Sequence, residues 1–122
     1  KEGEAIFYRR SVLELESRHD FAMRDAIPSL EDFKGLLKAF PSLSTIVEDR
    51  LTTVAQVAVF RPTQSAGASA LAQDSPVRCA TRAREGSRRE LIVANTHLYF
   101  HPDAAHIRLM QLVALTDRCW KI

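Results

Sequence analysis

Leu91-Ile92-Val93-Ala94-Asn95-Thr96-His97-Leu98-Tyr99-Phe100-His101-Pro102 passes from an apolar run, through an Asn/Thr/His cluster, into a proline-started helix. The segment from Leu91 to Ala94 has the uninterrupted apolar character of a strand buried on both faces. Polar groups that follow such a strand emerge from the end of a rigid support, where a site is held in place. Chemistry is expected at this junction, with His97 at its centre.

Upstream, Thr52 to Phe60 is rich in β-branched residues and free of Gly and Pro, which predicts a strand with one face more apolar than the other. Between the two strands, residues 61–89 hold Pro, Gly, Ser, Ala and Gln, with five arginines after Val77 and no periodicity. That composition predicts a long mobile surface loop. Loop insertions add little closure entropy, so the flanking strands can still pair as a wide antiparallel hairpin. Nearer the start, Ala5 to Arg10 mixes aromatic and β-branched residues after Gly3 and reads as a short strand, followed by a charged stretch around Glu14 to Asp20. Leu30, Phe33, Leu36, Leu37 and Phe40 follow Ser29 at helical spacing, and Pro41 ends that helix. Ser42 is placed to cap a second short helix carrying Leu43, Ile46 and Val47, which runs to about Arg50. After the junction, a helix starting at Pro102 or Asp103 carries Ile107, Met110, Val113 and Ala114 on one side, with Leu109, Leu112 and Leu115 widening the stripe. The order strand, two helices, strand, loop, strand, helix is that of a mixed α/β protein.

Composition narrows the function classes. The 122 residues are 46% hydrophobic and 26% charged, as in a globular domain, and a net charge of +2 is too small to imply nucleic-acid binding by bulk charge. Cys79 and Cys119 match no metal or redox spacing and read as reduced thiols, which fits an intracellular compartment. No apolar run is long enough to span a membrane. The chain opens on Lys1 and stops at Trp120-Lys121-Ile122, inside what reads as a continuing helix, so an excerpt of a longer protein is expected.

On an extended backbone Asn95 and His97 point to the same side. An imidazolium and an amide on one face suit an anion, because both donate hydrogen bonds. The three residues alone fit a satisfied structural histidine as well as a phosphate contact. Tyr99 and Phe100 read as packing residues before base-stacking ones, and His101 as a helix cap. His101 and His106 are off a shared helical face and make no metal pair. The arginines from Arg78 to Arg89 suit either a solvated loop or an RNA backbone, and the composition favours the loop.

Two segments carry a family resemblance. Asn95-Thr96-His97-Leu98, with Tyr99-Phe100-His101-Pro102 and Ile107-Arg108-Leu109-Met110-Gln111, resembles the corresponding stretch of the endonuclease/exonuclease/phosphatase superfamily, and within it the branch of the Ccr4-type deadenylases. The opening Lys1-Glu2-Gly3-Glu4-Ala5-Ile6-Phe7-Tyr8-Arg9 resembles the Glu-Gly-x-Ala-x-Phe strand of the same branch. The resemblance implies part of a four-layer α/β sandwich, mainly antiparallel, with residues 1–122 forming part of one domain and 61–89 an insertion. It implies a Mg²⁺-dependent phosphodiesterase and 3′ exoribonuclease that takes RNA or oligoadenylate, cleaving 2′,5′-linked oligoadenylate and poly(A) tails, in the mitochondrial matrix. A poly(A)-specific deadenylase of the cytoplasm or nucleus, and a non-catalytic α/β binding module, are the alternatives. His97 matches the histidine that meets the scissile phosphate and Asn95 the asparagine beside it. The metal-binding Glu, a Gly-Asp-x-Asn segment and a terminal Asp-His pair have no counterpart here, so the chain alone is expected to be inactive.

Overall fold

A computed structural model of the chain describes residues 3–63 and 90–122. The elements run β1 (Leu13–Ala22), α1 (Met23–Ser29), α2 (Glu31–Ala39), α3 (Pro41–Thr45), a π-helical turn (Ile46–Arg50), β2 (Val54–Pro62), β3 (Leu91–Thr96) and α4 (Ala105–Trp120). The three strands form one antiparallel sheet in the order β1-β2-β3. The protein is therefore mixed α/β, as expected for part of an α/β sandwich, and β2 and β3 pair in the antiparallel sense that the sequence predicts.

The first strand is not where the sequence places it. Residues 5–9 are irregular, and the charged stretch from Glu14 to Asp20 lies within β1. Asp and, less strongly, Glu disfavour strands in isolation, but β2 offers a ladder of backbone partners, and pairing overrides propensity. The ladder runs from Leu13 opposite Pro62 to Ala22 opposite Val54, with a bulge between Leu15 and Ser17. At the bulged end Arg61 pairs with Glu16 of β1 and, at 3.4 Å, with Glu90, the residue just before β3. The predicted loop from residue 61 begins later than expected, because Arg61 and Pro62 complete β2. The rest of that loop, residues 64–89, lies outside the described residues.

The strand buried on both faces is β2. Its Ala55, Val57, Ala58, Val59 and Phe60 are all buried, whereas β3 leaves Leu91 47% and Ile92 42% exposed. Only β2 has a neighbouring strand on each side, so the expectation of a doubly buried β3 is corrected by its place at the edge among the described strands.

The helices pack on one face. Met23, Ala26 and Ile27 of α1, Leu37 of α2, Val47, Leu51, and Ile107, Met110 and Ala114 of α4 close over Ala55, with Phe21 against the cluster. Ser29 ends α1, donating to the carbonyl of Ala26 at 2.7 Å, and α2 starts after Leu30 without a side-chain cap. Pro41 occupies the first turn of α3, where its missing N–H is harmless, so Ser42 lies inside that helix and does not cap it. On α4, Val113, Leu109 and Leu112 are exposed and Gln111 takes the buried position. The predicted apolar stripe is thus narrower than its leucines suggest.

The other face is covered by the irregular N-terminal segment. Alternation from the register puts Asp20, Gln56 and Asn95 in one row, and Arg18 and Ala58 in the next, on the side opposite Ala55. Tyr8 stacks obliquely on Phe60 with ring centroids 4.7 Å apart, and a cavity of about 290 Å³ opens between the segment and the sheet, lined by Glu4, Tyr8, Arg18 and Gln56 among others.

Candidate functional site

β3 ends where Thr96 Oγ1 donates to the carbonyl of Val54 at 2.8 Å. One residue earlier, Asn95 stands opposite Gln56, and its Nδ2 donates to the carbonyl of Ala5 at 3.2 Å. Gln56, with its amide turned to suit its neighbours, donates to the Glu4 carbonyl at 3.0 Å and accepts from Arg18 at 3.3 Å. These two amides lay the N-terminal segment along the sheet. Arg18 in turn grips Asp20 in a two-pronged ion pair, with Nε on Oδ1 at 2.9 Å. The hydrogen bond from Arg18 is the main reason the Asp20 carboxyl is held below its ordinary range, and the same bond raises the Arg18 guanidinium.

His97 is the first residue beyond the strand, and its side chain is exposed. Asn95 is thus the penultimate residue of β3 and His97 the first beyond it, and one N–H of Asn95 is committed to the Ala5 carbonyl. Residues 97–104, between β3 and α4, contain no regular strand or helix, so their direction depends on side chains that hold them.

Those side chains come from α4. Gln111 is fully buried: Oε1 accepts from the Tyr99 backbone N–H at 2.8 Å, while Nε2 donates to Thr53 Oγ1 at 2.9 Å and to the His97 carbonyl at 3.4 Å. Arg108 donates to the carbonyls of His101 at 2.6 Å, Pro102 at 3.1 Å and Tyr99 at 3.3 Å. Neither was assigned a role from sequence. The available signal was a Gln amid the buried stripe of Ile107, Met110 and Ala114, since a buried amide must find partners.

The other aromatic and histidine expectations resolve simply. Tyr99 packs against the helical core while Phe100 is 81% exposed, with the two rings 5.6 Å apart. His101 Nδ1 accepts from the Asp103 N–H at 3.3 Å, capping the turn ahead of α4, which starts at Ala105 and not at Pro102. Burial raises the Cys119 thiol above its ordinary value. Among the described residues no three His, Cys, Asp or Glu side chains gather as a metal site, and no helix is long and apolar enough to cross a membrane. The arginines from Arg78 to Arg89 lie outside the described residues.

No protein-family profile matches the sequence. Among curated proteins its relatives are phosphodiesterases. By name they are 2′,5′-phosphodiesterase 12 of Bos taurus, 35% identical over 114 residues, of Homo sapiens, 34% identical over 114, and of Rattus norvegicus, 31% identical over 116. The alignments cover 91%, 91% and 93% of this chain. The chain spans only about 15% of the length of the curated relatives it matches. The resemblance drawn from the two terminal segments is thereby borne out across nearly the whole sequence, which is related to one segment of these phosphodiesterases.

Proposed function

We propose that this chain is part of a Mg²⁺-dependent phosphodiesterase acting as a 3′ exoribonuclease on 2′,5′-linked oligoadenylate and poly(A) ends, in the mitochondrial matrix. The observation that carries the reading is the similarity of nine-tenths of the chain to proteins named 2′,5′-phosphodiesterase 12. Within that reading His97 supplies a hydrogen-bond donor to the scissile phosphate. Its exposed position directly after β3, a strand laddered to the central strand, supports this role. Loss of one fixed donor that meets developing negative charge costs about 100- to 1000-fold in turnover. Asn95 has a second N–H and an oxygen left to orient His97 or the substrate, the first N–H being bound to Ala5.

The described residues do not gather into a metal site, so the chemistry assigned to this chain is confined to hydrogen-bond donors and their placement. By itself the chain is expected not to hydrolyse either substrate. The test is a side-by-side assay of the full-length protein on 2′,5′- and 3′,5′-linked oligoadenylates with Mg²⁺, alongside the location of a tagged copy. Cleavage of both linkages is expected. Cleavage of the 3′,5′ linkage alone would turn the reading to a poly(A)-specific deadenylase, and cleavage of neither to a binding module.

A further inference from the structure

We infer that Gln111, with Arg108 three residues before it on α4, is a positioning residue for His97; the inference rests on the phosphate-facing role proposed for that histidine. Gln111 is fully buried among apolar neighbours, where an unsatisfied amide would carry a desolvation penalty. Both of its polar atoms are used. The amide oxygen holds the Tyr99 N–H, and the amide nitrogen holds the His97 carbonyl and the Thr53 hydroxyl. One side chain therefore references the backbone of residues 97–99 to both the entry of β2 and the body of α4. Arg108 lies on the same side of the helix, as residues three apart do, and extends the grip to the carbonyls of Tyr99, His101 and Pro102. The segment that carries His97 leaves β3 after Thr96 and, among the described residues, belongs to no strand or helix, so these bonds help to set where its backbone runs. A displacement of about 1 Å in a reacting group commonly costs about 100-fold in rate, even when the altered residue is remote from substrate.

The experiment uses the full-length protein with a 2′,5′-linked adenylate trimer as substrate. Gln111→Met, which keeps the volume and removes the amide, is expected to lower kcat by about 10- to 100-fold with KM changed less than about twofold. The deciding measurement repeats that substitution in a His97→Ala background. A residue that acts through His97 has little left to disturb there, so a further loss of less than about twofold is expected. An equal loss in both backgrounds, or no loss in either, overturns the positioning role. If Gln111→Met does not fold, Thr53→Val, which releases the amide from β2, is measured in the same two backgrounds: coupling to His97 supports the inference and its absence overturns it. A His97→Ala protein with wild-type kcat overturns the phosphate-facing role and the inference with it, whereas normal dependence on His97 without coupling overturns the inference alone.

Discussion

Asn95, near the end of β3, donates from Nδ2 to the carbonyl of Ala5 at 3.2 Å, joining segments 90 residues apart in sequence. Those segments are the two in which the family resemblance is legible from sequence, and the bond brings them to one place in the fold. Asn95→Ala is expected to loosen residues 3–8 on the sheet, leaving Gln56 and the Tyr8–Phe60 ring pair to hold them. Tryptic cleavage at Arg9 and Arg10 should quicken while the amides of β2 stay protected from exchange, at a cost of about 0.5 to 1.5 kcal/mol in unfolding free energy. Unchanged cleavage at Arg9 and Arg10 would show that the bond does not tether the segment.

The same segment is held by Tyr8, whose ring lies 4.7 Å from that of Phe60, a residue only 1% exposed. Tyr8→Ala removes the aromatic pair, which contributes about 0.5 to 1.5 kcal/mol beyond area burial. The denaturation midpoint should fall by at least that equivalent, and Tyr8→Phe should restore most of it.

The two sides of α4 differ. Ile107 is fully buried and Leu109 is 62% exposed. Ile107→Ala is expected to destabilise by about 2 to 5 kcal/mol, and Leu109→Ala by no more than about 0.5 kcal/mol in the described fold. Urea titrations of the two variants check the contrast.

For the pair of Arg18 and Asp20, the folded carboxyl sits below its unfolded value, chiefly through the hydrogen bond from Arg18. The folded state then binds fewer protons than the unfolded state through that range. The pair's contribution is present above the ordinary carboxylate range and is lost as pH falls through the lowered value. Asp20→Asn should flatten the acid limb of a stability-against-pH curve. The effect is small, because both side chains face solvent.

Much of the architecture was legible because pattern and pairing agreed. Thr52 to Phe60 is β-branched and occupies the central strand, and Leu91 to Ala94 pairs with it in the expected sense. β1 was not legible: Glu14, Glu16, Arg18 and Asp20 read only as a charged stretch, and the partner strand makes them a ladder. The apolar run at Leu91 and Ile92 suggested double burial for the opposite reason, since sequence does not say which strand stands at an edge. At the site, Asn95 and His97 were visible as a polar cluster. Their support was not, because Gln111 and Arg108 act through backbone groups of residues 97–102, and backbone partners leave no mark in side-chain spacing.

The central claim is that His97 meets the scissile phosphate, and turnover of the full-length His97→Ala protein on 2′,5′-linked oligoadenylate with Mg²⁺ tests it most directly. The account predicts a fall in kcat of about 100- to 1000-fold with substrate binding little changed. Wild-type turnover in that variant would contradict it.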